Sequence, residues 1–133
     1  MARIRTLVVD DLADFRQFLC SVIDQGNGCE VVGEASDGLR AVQEAERLQP
    51  DLILLDLGLP TLNGMEAARR ILQHSPHSKI LFVTQNSSHE IATAALHLGA
   101  HGYLLKSDAP DIPRAVEIIL QGGQFVSDQL SKP

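Results

Sequence analysis

Residues 51–56 read Asp-Leu-Ile-Leu-Leu-Asp, four consecutive apolar residues with a carboxylate at either end. A strand with one wet face alternates apolar and polar residues, whereas an unbroken apolar run fits a strand covered on both faces, as in a parallel sheet. The runs Ile4–Val9 and Lys79–Val83 read almost the same way, and Cys29–Gly33 and Gly102–Leu105 are shorter relatives of them. Helical spacing fills the gaps. Phe15, Leu19, Val22 and Ile23 share one face, as do Leu39, Val42, Ala45 and Leu48, then Met65, Ala68, Ile71 and Leu72. Ile91, Ala94, Ala95 and Leu98 mark a fourth helix, and Ile112, Ala115, Val116 and Ile119 a fifth.

The boundary residues agree with this division. Asp37 and Asn63 stand where N-caps belong, and Gly26, Gly99 and Gly122 follow helical stretches as stops. Five strands alternating with five helices predict an α/β, doubly wound domain with right-handed crossovers. That domain occupies residues 1–123. Residues 124–133 carry no new periodic element and read as the start of a linker.

Composition narrows the function. The 133 residues include 17 acidic and 11 basic side chains, a net charge of −6, with no Trp and one Tyr. Gripping a phosphate backbone needs clustered cations, and stacking single-stranded bases needs aromatics, so this domain is a poor candidate for direct nucleic-acid binding. Cys20 and Cys29 are too few for a disulfide scaffold or a thiolate zinc site and read as buried thiols. Neither a signal peptide nor a membrane-spanning run is legible, so the expected setting is cytoplasmic, with no membrane partner.

In such a sheet, ligands bind beyond the carboxyl ends of the strands. The polar residues that end strands here are Asp10 and Asp11, Asp56, Thr84 and Lys106. Each alone has an ordinary reading: Asp10 and Asp11 as a cap, Asp56 as a loop residue, Thr84 as a strand residue, Lys106 as a solvated charge. Together they do not. Three carboxylates at one sheet edge repel one another and need counter-charge, which a divalent cation and one lysine supply. All-oxygen ligation favours Mg²⁺ or a similar hard cation such as Mn²⁺. The metal would place a phosphate donor before a carboxylate nucleophile, with Lys106 and the Thr84 hydroxyl on phosphate oxygens, giving an aspartyl phosphate on Asp56.

The order Val8-Val9-Asp10-Asp11, Leu54-Leu55-Asp56 followed by Leu59-Pro60 and Asn63-Gly64-Met65, Phe82-Val83-Thr84, and Gly99-Ala100-His101-Gly102-Tyr103-Leu104-Leu105-Lys106 resembles the receiver domain of bacterial two-component response regulators. With Gly122-Gly123 and Phe125-Val126, it is similar to the NarL/FixJ subfamily. The resemblance implies a flavodoxin-like (βα)5 fold with five parallel strands in the order 2-1-3-4-5. It implies that Asp56 takes phosphate from a sensor histidine kinase. Asp11, Asp56 and the Gly58 backbone carbonyl would ligate Mg²⁺ directly, with Asp10 acting mostly through water. Thr84 and Tyr103 would form the switch pair and Lys106 the phosphate partner. Phosphorylation would reshape the face of the fourth helix, fifth strand and fifth helix, where a homodimer would form. Any contact with DNA would fall to a C-terminal output domain, of LuxR-type helix-turn-helix kind, beyond this chain. Such a domain is not an enzyme, though it assists its own phosphorylation and dephosphorylation.

Two departures from the family pattern flank the site: Gln85 where a small side chain is usual, and Gly58 where a longer one is common. Ser107 replaces a frequent proline after Lys106, so a trans bond is expected there. Two other classes fit less well. An aspartate-nucleophile phosphohydrolase would carry a second acid two residues beyond its nucleophile, where Gly58 stands, and a flavodoxin-like cofactor binder would need a phosphate-cradling loop after the first strand. A receiver-like module working without phosphorylation is the remaining alternative. The histidines show no ligand spacing and read as solvated or helix-terminal.

Overall fold

The computed structural model describes residues 3–25 and 28–130. Strand β1 (Ile4–Val9) leads to α1 (Ala13–Asp24), β2 (Cys29–Ala35), α2 (Gly38–Leu48), β3 (Leu52–Leu55) and α3 (Gly64–His74). The chain continues through β4 (Lys79–Thr84), α4 (His89–Leu98), β5 (Gly102–Leu105), a 3₁₀ turn (Lys106–Asp111), α5 (Ile112–Leu120), β6 (Phe125–Val126) and a second 3₁₀ turn (Asp128–Leu130). All neighbouring strands run parallel, in the order β2-β1-β3-β4-β5-β6.

Strand β3 shows why its sequence is apolar throughout. Leu52 and Leu54 point into a core shared with Leu19 and Ile23 of α1 and with Ile112, Val116 and Ile119 of α5. Ile53 and Leu55 point the other way, towards Ala41 and Ala45 of α2, Ala67 and Ile71 of α3 and Ala95 of α4. All four are fully buried, and each such side chain stabilises the fold by roughly 1.5–3 kcal/mol relative to exposure. The caps fall where the sequence places them: Asp37 and Asn63 accept the backbone N–H of Arg40 and Glu66. Gly99, with φ of 122°, closes α4, and Gly122, with φ of 95°, follows α5. Gly26 lies outside the described residues.

The sheet has six strands rather than five. Phe125 and Val126 pair with Gly102 and Tyr103 along the outer edge of β5. Beyond them, the Ser127 hydroxyl accepts the Leu105 N–H at 2.9 Å, His89 Nδ1 lies 2.7 Å from the Leu130 carbonyl, and Leu130 is buried against the α2–α4 core. A two-residue strand carries no period, so only its pairing reveals it. The thiols also differ in burial: Cys29 is buried and Cys20 half-buried, both free. No helix among the described residues is long and apolar enough to cross a membrane.

His101 fastens the start of β5 to β4. Its N–H donates to the Ile80 carbonyl at 2.8 Å, and its Nδ1 accepts the Ile80 N–H at 3.1 Å, so the neutral ring carries its proton on Nε2. Burial, and then the Lys79 charge, holds its pKa below the usual histidine value. A depressed folded pKa makes the contribution to stability complete above pH about 6.5, and it is lost as pH falls through the folded value. His101→Asn keeps an acceptor that does not titrate. The drop in melting temperature between pH 7.5 and 5 is therefore expected to be shallower in His101→Asn than in wild type, and equal slopes would refute this account.

Candidate functional site

Because the strands are parallel, their carboxyl ends meet at one rim. Strands β1 and β3 are adjacent while β2 lies on the other side of β1, so the crevice between them is the switch point where such folds bind ligands. Asp10 and Asp11 follow β1 and Asp56 follows β3. Asp10 does not cap α1, whose N-cap is Leu12. Instead its Oδ1 accepts the Leu12 N–H at 2.8 Å and turns the chain, while Arg16 donates to its backbone carbonyl at 2.9 Å. The turn buries Asp10 completely and leaves Asp11 exposed.

Asp56 is 7% exposed. Its Oδ1 accepts the Leu57 N–H at 2.7 Å, which fixes the rotation of the carboxylate and sets Oδ2 3.2 Å from Lys106 Nζ. The same ammonium lies 2.9 Å from Asp10 Oδ2. That oxygen nevertheless has no well-aligned hydrogen bond, so the contact is an ion pair whose alignment leaves an acceptor lobe unused. On its other side Nζ stands 4.5 Å from the centre of the Phe15 ring. Burial raises the Asp10 pKa, against the Leu12 N–H and the Lys106 ammonium, and the Asp56 charge adds to the rise. Burial opposes the charge on Lys106, yet the two carboxylates outweigh it and lift its pKa.

Asp10, Asp11 and Asp56 each offer a carboxylate oxygen, and these oxygens all lie within 4.8 Å of one another. At 4 Å, two like charges repel by about 4 kcal/mol at an effective dielectric of 20, and one ammonium leaves two of the three negative charges uncompensated. The donor set is entirely oxygen and Asp10 Oδ2 retains a free lobe. The acidic pocket therefore fits a hard divalent cation.

A cleft of about 630 Å³ opens over these groups and is also lined by Gly58, Thr84, Gln85 and Asn86. A side chain at Gly58 would meet nothing within 4 Å, so this flank is open, whereas Gln85 lies exposed at the opposite lip. Thr84 and Tyr103 are linked through Asn86, whose N–H donates to Thr84 Oγ1 at 3.2 Å and whose carbonyl accepts the Tyr103 hydroxyl at 2.8 Å. Tyr103 is fully buried against Phe82, with ring centres 6.0 Å apart. Burial, then the Asp56 charge, pushes its pKa up to about 12, so the hydroxyl remains a donor.

The loop after Asp56 is wedged between two glycines. Gly64 donates to the Leu57 carbonyl at 2.8 Å, and a Cβ on it would fall 2.2 Å from the Asp56 carbonyl oxygen. Gly38 at the start of α2 donates to the Pro60 carbonyl, and a Cβ there would fall 1.8 Å from the Leu62 carbonyl. The Lys106–Ser107 bond is trans. Arg69 and Arg70 are both paired to Glu66.

The rim thus gathers Asp10, Asp11, Asp56 and Lys106, with Thr84 and Gly58 on the cleft wall and Tyr103 reaching it through Asn86. Comparison with known proteins agrees. A family model described as the response regulator receiver domain matches residues 6–117. The transcriptional regulatory protein DegU of Brevibacillus brevis is 34% identical over 130 residues, which cover 97% of this chain and 55% of DegU. The nitrate/nitrite response regulator NarL of Escherichia coli K12 is 36% identical over 126 residues, 94% of this chain and 58% of NarL. The crystal structure of a LuxR-family two-component response regulator from Aurantimonas sp. SI85-9A1 superposes with a TM-score of 0.92 at 33% identity, covering 98% of this chain and 94% of that one. The chain spans little more than half the length of the two curated relatives.

Proposed function

The chain belongs to the response regulator receiver domain family of two-component signalling, and from that premise we propose that Asp56 is its phosphoacceptor, fed by a sensor histidine kinase. The observation that carries this reading is the meeting of three carboxylates and one ammonium at the β1/β3 crevice. The Leu57 N–H engages Oδ1 of Asp56, which lines the cleft, and leaves Oδ2, now paired with Lys106, to act as the nucleophile. That oxygen attacks the phosphorus of a phosphohistidine: a P–O bond forms, the P–N bond breaks, and the electron pair leaves with the imidazole. Mg²⁺ or Mn²⁺ held by Asp10, Asp11, Asp56 and the Gly58 carbonyl would neutralise charge on the phosphoryl oxygens. Lys106 moves its ammonium from Asp56 Oδ2 to a phosphoryl oxygen, and the Thr84 hydroxyl donates to another.

Thr84 Oγ1 accepts the Asn86 N–H and keeps its own proton to donate, so a shift of this hydroxyl towards the phosphoryl group pulls on that bond. Because Asn86 also accepts the Tyr103 hydroxyl, that shift is felt at β5 and at the loop entering α4. One charge-assisted hydrogen bond gives about 1.5–3 kcal/mol, while moving a population from 1% to 99% needs about 5.5. Partial pre-activation, or coupling to dimerisation through the α4–β5–α5 face, where β6 forms the sheet edge, would supply the rest. The receiver would occupy residues 1–123, with β6 and the turn after it, within 124–133, packed on its sheet edge and core and leading towards an output domain that binds DNA in the manner of LuxR-type regulators. The setting is the cytoplasm, and the chain turns over no substrate of its own.

Incubation with phosphoramidate and Mg²⁺, read by intact mass, tests the acceptor. Wild type is expected to gain one phosphoryl group, and Asp56→Asn none. An unchanged wild-type mass would leave only the phosphorylation-independent interaction module.

A further inference from the structure

We propose that Phe15, on α1, is a positioning residue for Lys106: its ring holds the ammonium against Asp10 and Asp56 and thereby sets the rate at which Asp56 is phosphorylated. The inference rests on Asp56 being the acceptor. Lys106 Nζ is 2.9 Å from Asp10 and 3.2 Å from Asp56 on one side, and 4.5 Å from the Phe15 ring centre on the other. An ammonium has three N–H donors. Two carboxylates lie against one side of the ammonium as ion-pair partners, and the ring face covers the side that water would otherwise solvate. The negative face of the ring attracts the cation at the cost of no hydrogen bond.

Apart from the two carboxylates, the backbone here leaves the direction of this side chain open. Lys106 opens the 3₁₀ turn that follows β5 and is followed by exposed Ser107, which does not lock the backbone as a proline would. Phe15 is itself well placed. Leu19 and Ile23 anchor α1 in the core, and Phe18 packs beside it with ring centres 5.5 Å apart and planes at 39°. The ring is half-buried, packed at the edge of the core that α1 shares with α5. When the ammonium swings to a phosphoryl oxygen, the ring supports it at both ends of a short path.

Phosphoramidate kinetics with Mg²⁺ separate the ring's charge attraction from its bulk. Phe15→Leu keeps an apolar side chain without the quadrupole, and cation–π attraction of this kind converts to a rate loss of about three- to tenfold. Phe15→Tyr is expected to restore the rate to within about twofold, since it keeps the π-face. In a Lys106→Met background, Phe15→Leu is expected to slow the residual reaction no further. By NMR, the ε-methylene protons of Lys106 should show an upfield ring-current shift in wild type and Phe15→Tyr that Phe15→Leu abolishes. A wild-type rate in Phe15→Leu, or an equal slowing in the Lys106→Met background, would overturn the proposal while leaving the acceptor intact. A wild type that gains no phosphoryl group would instead overturn the acceptor reading, and this rate effect with it.

Discussion

Gly64→Ala is expected to lower the melting temperature by roughly 10 °C, about 3 kcal/mol for a chain of this size. The added methyl would lie 2.2 Å from the Asp56 carbonyl oxygen and 2.7 Å from the Leu57 Cα. Both are backbone atoms, so no rotamer change relieves the clash, and either α3 or the loop must move. Moving α3 breaks the Gly64 N–H to Leu57 carbonyl bond and pulls Ala67, Ala68 and Ile71 from the core. Moving the loop displaces Asp56 and loosens the Leu57 N–H that orients its carboxylate. Helix propensity favours alanine over glycine by about 1 kcal/mol, too little to offset a clash of this depth. Thermal unfolding with phosphoramidate labelling checks it: stability and phosphoryl uptake should fall together. A variant melting within 2 °C of wild type would show that the loop yields freely.

That glycine marks where sequence reasoning stops. Its presence after Asn63 is plain in the chain, but its necessity depends on a carbonyl eight residues upstream that only the fold brings near. The strands were legible because apolar runs such as Leu52–Leu55 need cover on both faces. The rim followed because parallel strands must end together, which put Asp10, Asp11, Asp56 and Lys106 in one place. Phe125 and Val126 were illegible as a strand, since two residues have no alternation and gain their role from the exposed edge of β5. Asn86 escaped for another reason: it joins Thr84 to Tyr103 through its own backbone N–H and carbonyl, and side-chain chemistry gives no sign of that. Helical period assigned Phe15 to the inward face of α1 but could not name Lys106 as its neighbour. Nor does Asp10-Asp11 say which carboxylate is buried; the turn closed by the Leu12 N–H decides it.

Lys106→Met is expected to make stability strongly dependent on Mg²⁺. Methionine keeps much of the stem's apolar volume against Phe15 and removes only the charge. Asp10, fully buried, and Asp56, 7% exposed, then face each other without the ammonium now 2.9 and 3.2 Å away. Removing one partner from a buried ion pair costs about 3–5 kcal/mol, and here one deletion strips two carboxylates. The exposed Asp11 adds repulsion that salt partly screens. In EDTA the variant should therefore melt well below wild type. A cation that binds only the folded state at about 100 times its Kd returns about 2.7 kcal/mol, so Mg²⁺ should recover most of the loss. Wild type should gain less from the same Mg²⁺, because its ammonium already competes for the carboxylates the ion would use. Melting curves of both proteins with EDTA and across a Mg²⁺ titration decide the matter. Equal melting in EDTA would mean that the carboxylates never needed the lysine, and equal Mg²⁺ gains would mean that ion and ammonium do not share them.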